Sequence, residues 1–242
     1  KNPEKYTLAD GIVAINSSAF AMCSELKEIN FPDSLEYIGN FVFSECTSLE
    51  SITFPDSVSA LGKFVFSGCT SLKDVTLPAN LQKIGDAAFY KCESLELIDF
   101  PITLTEIGQA AFASTGMTSI KIPPTITAIG YSAFGFYTNE NDEIILDEDF
   151  VVMGYEGSYA QTYCQENEVT FLALDEDEAA GSDEKAENQT FSKRAIVLIC
   201  IGGVLAVAAV IAAVIIIKKR KSLKDKEDGE EESEENNYTE DE

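Results

Sequence analysis

The chain has 242 residues, 45% of them hydrophobic, with 17 Lys and Arg against 42 Asp and Glu, giving a formal net charge of -25. That length and apolar content suffice for a buried core, while the acidic balance excludes a phosphate-binding Lys/Arg surface, so no nucleic-acid partner is expected. His is absent, which removes Ser-His-Asp and Cys-His nucleophilic catalysis and the commonest metal ligand.

The chain opens mid-pattern. Tyr6-x-Leu8 lies 23 residues before Ile29-x-Phe31, so residues 1–11 read as the strand of an incomplete repeat or an N-terminal cap. Residue 1 is Lys and no signal peptide is visible, so an upstream segment, removed or outside this sequence, is expected.

Residues 12–134 repeat with a period of 23: Phe20, Phe43, Phe66, Phe89 and Phe112 fall in step, followed by Cys23, Cys46, Cys69 and Cys92. A fixed period in the twenties marks a stacked solenoid, whose units bury their apolar faces only against one another. The second copy reads Leu35-x-x-Ile38-Gly39-x-x-x-Phe43-x-x-Cys46-x-x-Leu49-x-x-Ile52-x-Phe54-Pro55. Asn16 stands where the other copies carry Gly, and one residue is lost between Phe112 and Met117, so Phe134 follows Phe112 after 22. Ile29-x-Phe31 and its equivalents alternate as strands with one buried face, and the following Pro ends each strand. Strand pairing between copies would give a parallel sheet along one side. The Ile-Gly pair is expected to mark a bend, and the Phe and Leu of each copy point inward.

Residues 135–174 read as a C-terminal cap. Ile144–Leu146 is expected to be a last strand, Ser158 to cap a short helix through Asn167, and Val169–Leu174 to form a terminal strand. Residues 175–194 form an acidic linker with too little apolar content to fold. Residues 195–217 contain only Gly, Ala, Val, Leu, Ile and Cys, enough for a single membrane-spanning helix. Residues 218–242 begin with a basic cluster, Lys218, Lys219, Arg220, Lys221, Lys224 and Lys226, and hold eleven acidic residues from Asp225 onward. The basic excess after the span favours a cytoplasmic C-terminus and extracellular repeats, and the acidic tail is expected to be disordered.

The repeat pattern resembles the BspA-like, or Treponema-type, leucine-rich repeats over about residues 6–146. The segment Gly154 to Cys164 through Phe171–Leu174 is similar to the C-terminal cap of bacterial members, with Cys164 where a small residue such as Ala is more usual. The resemblance implies an α/β solenoid on a plasma-membrane anchor and a role in adhesion to host matrix proteins, cells or other microbes. It carries no catalytic residues with it.

The Cys column invites a disulfide or metal reading. Cys also packs as a small buried hydrophobe, Thr115 interrupts the column, and a straight column does not converge on a metal, so a buried free-thiol spine is expected. Carboxylates crowd at Glu140, Asp142, Glu143, Asp147, Glu148 and Asp149; without EF-hand spacing they read as solvated charge, not a calcium site. No cofactor, metal ligand or catalytic residue is expected.

The functional expectation rests on residues alternating with the buried ones: Glu28 and Asn30, Ser51 and Thr53, Asp74 and Thr76, Leu97 and Asp99, Ser119 and Lys121. Of these, Asn30, Ser51, Thr53, Asp74, Thr76, Leu97, Asp99 and Lys121 are the candidate partner-binding residues. A flat face suits an extracellular protein or glycoprotein better than a small molecule. The alternative is a receptor-like or trafficking protein acting through its acidic cytoplasmic tail. Gly202-x-x-x-Ala206 and Ala209-x-x-x-Ala213 would support weak self-association of the membrane helix. Asn16-Ser17-Ser18 and Asn188-Gln189-Thr190 fit glycosylation sequons, and Tyr238 is a candidate phosphorylation or sorting site.

Overall fold

Most copies contribute two short strands joined by a tight turning segment, and successive copies stack on one another. The computed structural model describes residues 4–141 and 143–175; the expected linker beyond 175, the span 195–217 and the tail 218–242 lie outside them. Among the described residues no helix is long and apolar enough to cross a membrane.

The first strand series comprises β1 (Lys5–Thr7), β3 (Glu28–Asn30), β5 (Ser51–Thr53), β7 (Asp74–Thr76) and β10 (Ser119–Lys121). The second comprises β2 (Ala14–Ile15), β4 (Tyr37–Ile38), β6 (Ala60–Leu61), β8 (Lys83–Ile84), β9 (Glu106–Ile107) and β11 (Ala128–Ile129). Lys5 pairs with Glu28 and Tyr6 with Ile29 in parallel, the register the opening fragment predicts.

Two expectations need correction. The continuous sheet is not built from the Ile-x-Phe strands. Those pair piecewise, β1 with β3 and β5 with β7, and residues 97–99 form no strand. The six-stranded parallel sheet runs instead through the second series, where a bend was expected at Ile-Gly. Glycine is required there by contact, not by conformation: a Cβ on Gly62 would lie 2.3 Å from the Gly39 carbonyl oxygen, and one on Gly108 2.4 Å from the Asp86 nitrogen. The copies approach too closely at this position for any side chain.

The phenylalanine column forms the centre of the stack. Rings 43 and 66 lie 5.3 Å apart at 3°, 66 and 89 at 5.3 Å, 89 and 112 at 5.0 Å, and 112 and 134 at 5.2 Å. Such pairs contribute about 0.5–1.5 kcal/mol each beyond area burial. The same residues carry a backbone ladder: Phe43 N–H donates to Val65 C=O at 2.8 Å, Phe66 to Ala88 at 2.8 Å and Phe89 to Ala111 at 2.8 Å. Holding the segment in this form puts Phe41, Phe64, Ala87 and Ala110 at left-handed φ between 50° and 58°. Each costs on the order of 1–2 kcal/mol, which the inter-copy bonds and ring packing offset. The missing residue before Met117 does not interrupt the stack, since Phe112 still meets Phe134.

The last copy is closed by side chains. Phe134 has no further copy to bond, and Tyr163 takes that place: its hydroxyl accepts from Phe134 N–H at 2.9 Å and donates to Phe134 C=O at 2.8 Å. Tyr163 sits on α1 (Tyr159–Asn167), and burial raises its phenol pKa. Ser158 occupies the N-cap position as expected, but its hydroxyl makes no cap bond; Gln161 Oε1 accepts from Gly157 N–H at 2.8 Å instead, satisfying an amide beside the helix start. Ile144–Leu146 is a strand, β13, but not the last of the stack: it pairs antiparallel with β12 (Phe136–Thr138). The parallel series continues through β14 (Val151–Gly154) and ends at β15 (Thr170–Ala173).

Phe66→Ala is expected to cost about 3–5 kcal/mol in denaturant unfolding, and Gly62→Ala about 1–3 kcal/mol by overpacking. A transition midpoint unchanged in either variant would contradict the stacking register.

Candidate functional site

Alternation along the first strand series sorts its side chains. Ile29, Ile52, Ile98 and Ile120 are buried, and their neighbours face outward. The pairing of Ser51 with Asp74 and of Thr53 with Thr76 places these residues in two parallel columns. Asn30, Thr53, Asp74, Thr76, Leu97, Asp99 and Lys121 are exposed, and Ser51, Glu28 and Ser119 half-buried. Leu97 is 57% exposed, a large apolar side chain among polar ones. Leu97 and Asp99 are the departure from expectation: they face outward from an irregular segment, not from a strand. The residue lost before Met117 shortens the approach to β10, which pairs with β14 and not with this copy.

The amino-terminal end of the face is internally neutralised. Lys5 pairs with Glu28 at 2.5 Å and Lys27 with Glu4 at 3.0 Å, and Asn30 Nδ2 donates to Thr7 Oγ1 at 3.3 Å. The Glu28 carboxylate, bonded to the Lys5 ammonium, raises that lysine's pKa. Towards the middle, Asp74 and Asp99 form no described ion pair. Beside the columns lies a shallow open depression of about 300 Å³ lined by Lys27, Ser48, Glu50, Ser71, Lys73 and Ser94. These residues were not singled out from sequence, although Ser48, Ser71 and Ser94 recur at 23 and could have been found by the same periodicity.

The cysteine column runs beneath the turning segments as free thiols. Cys46 Sγ donates to Phe20 C=O at 3.1 Å, Cys69 to Phe43 at 3.0 Å and Cys92 to Phe66 at 3.2 Å. Each thiol therefore ties its copy to the carbonyl of the preceding phenylalanine. Burial pushes the Cys46 thiol up to about 12 and raises Cys69 and Cys92 as well. Among the described residues no group of three or more His, Cys, Asp or Glu converges on a point that could hold a metal.

A family model described as the BspA type leucine rich repeat region matches residues 4–151 with six copies. The chain belongs to the BspA-type leucine-rich-repeat family. Solved structures share the likeness. A leucine-rich repeat protein of T. pallidum is 25% identical, with 63% of this chain and 59% of that one covered and a TM-score of 0.41. A leucine-rich cell surface protein of Faecalibacterium prausnitzii is 22% identical, covering 61% and 55%, with a TM-score of 0.45. A leucine-rich repeat protein of Bacteroides ovatus is 25% identical, covering 69% and 50%, with a TM-score of 0.38. The match thus spans 50–59% of the length of these three proteins. Comparison with curated proteins gives no match. The matching family model describes a repeat region.

Iodoacetamide labelling of the native BspA-type chain at about pH 8, read by mass spectrometry, is expected to modify half-exposed Cys23 first and to spare Cys46, Cys69 and Cys92 until denaturant is added. Labelling of Cys69 at the rate of Cys23 would contradict the buried spine.

Proposed function

We propose that this chain is a cell-surface binding protein, an adhesin that recognises an extracellular protein or glycoprotein of a host or neighbouring cell. The observation that carries the reading is the row of outward residues along the first strand series, in which Ser51 pairs with Asp74 and Thr53 with Thr76. Asn30, Ser51, Thr53, Asp74, Thr76, Leu97, Asp99 and Lys121 present many small contacts over an extended surface. A broad surface of this kind suits a macromolecular partner, whereas small ligands favour enclosed, mostly apolar pockets. Family membership supports the scaffold role.

In this reading residues 195–217 form a single membrane span, the repeats stand outside the plasma membrane, and 218–242 lie in the cytoplasm. The proposal rests on the uncharged composition of that span and the lysine and arginine excess that follows it. The acidic linker 175–194 holds the repeats off the membrane. The protein acts without cofactor or metal and without catalysis. Its net charge of -25 steers it toward basic partner patches, an attraction that salt weakens.

The test is binding of the detergent-solubilised full chain to a panel of matrix proteins and to host cells, at low and physiological salt. Saturable, salt-sensitive binding that Thr53→Arg or Thr76→Arg reduces about tenfold or more is expected. Binding that survives both substitutions, or that is lost only on deleting residues 222–242, would overturn the sheet-face reading, and the second result would favour a receptor acting through its tail.

A further inference from the structure

The β12–β13 hairpin leaves one strand edge unpartnered. The outer edge of β12 is occupied by the fifth copy: Ser114 N–H donates to Phe136 C=O at 2.8 Å, and Thr138 N–H donates to Ser114 Oγ at 2.8 Å. Tyr90 Oη meets Thr138 Oγ1 at 2.8 Å. These contacts fix β12 to the repeats and leave β13 outermost.

On β13 the ladder alternates. Asn139 N–H donates to Glu143 C=O at 3.0 Å, Asp147 N–H donates to Gly135 C=O at 2.8 Å, and Tyr137 stands opposite Ile145. In an antiparallel pair the intervening residues direct their backbone groups away from the partner. The amides and carbonyls of Ile144 and Leu146 therefore face outward, and no described residue bonds them. Ile144 is also 47% exposed. Here is a strand edge with both a hydrogen-bonding row and apolar surface on offer.

Charge selects among occupants. Glu140 and Glu143 precede β13, and Asp147 and Asp149 follow it; none has a lysine or arginine partner among the described residues. A second copy would bring the same carboxylates to the same edge, and like charges directly across a strand pair are destabilising. A basic strand would be attracted at both ends. We propose that the β13 edge docks an extended, lysine- or arginine-rich segment of a partner protein, which adds to the hairpin as a third strand. This surface is separate from the polar columns and does not depend on their function.

The probe is a short synthetic peptide alternating lysine and valine, with its glutamate–valine counterpart as control, added to the full chain in detergent. Amide hydrogen exchange is read residue by residue, which separates docking at the hairpin from general attraction to the acidic tail. Saturating lysine peptide is expected to slow exchange at Ile144 and Leu146 by about tenfold or more. Ile144→Pro removes an amide outside the β12 ladder, a position where an edge strand tolerates proline; it should weaken that docking about tenfold or more. Glu140→Lys with Asp149→Lys leaves the backbone unchanged and should abolish the preference for the lysine peptide over the glutamate one. Thr53→Arg should change none of this. Protection that appears elsewhere but not at Ile144 and Leu146, or a preference unchanged in the double lysine variant, would overturn the proposal. So would a dimer paired through β13 that the peptide does not displace.

Discussion

The stacked phenylalanine of each copy sets the geometry on which everything else depends. Its ring stacks, offset and nearly parallel, on the rings before and after it, its amide bonds the next copy, and its carbonyl accepts the thiol of the copy that follows. Three kinds of interaction thus converge on one residue and enforce one spacing. Glycine at the Ile-Gly position is the counterpart, since a spacing near 5 Å leaves no room there for a Cβ. The left-handed turns at Phe41, Phe64, Ala87 and Ala110 are the strain that this spacing imposes.

From that spacing the surface follows. Residues 23 apart become lateral neighbours, so a single outward position in the repeat becomes a column on the molecule. The scaffold fixes where the outward positions lie and leaves their chemistry free to vary from copy to copy, which is why Ser51 can pair with Asp74. The cap shows the same constraint from the other side. Once the repeats stop, Phe134 still needs a donor and an acceptor, and the single hydroxyl of Tyr163 provides both. The helix beyond Ser158 serves to deliver that hydroxyl.

The period of 23, the inward Phe and Leu, the free-thiol column and the register of Tyr6 with Ile29 are all legible in the sequence, because each is a repeated spacing with one physical meaning. The second strand series is not. Two residues such as Tyr37–Ile38 are too short to show alternation, and the adjoining glycine reads as a bend when its actual role is close approach. Ala87 and Ala110 give no sign of left-handed φ, since alanine has no local preference for it and the stack alone imposes it. The hairpin of β12 and β13 hides for a different reason: Ile144–Leu146 looks like any apolar strand, and nothing in its own residues says whether it pairs parallel with a repeat strand or antiparallel with β12. The candidate face was legible as alternating positions, but Leu97 and Asp99 alternate like the other copies, and nothing in them marks their segment as irregular.

Successive copies are joined through the phenylalanine amides. Residue-resolved hydrogen exchange in the unmodified protein tests this directly, because the turning segments around Phe43, Phe66 and Phe89 carry no regular strand that would otherwise protect them. The amides of Phe43, Phe66 and Phe89 are expected to be among the slowest to exchange, opening only with the stack itself. Exchange of these amides as fast as that of the exposed loop around Asn141 would contradict it.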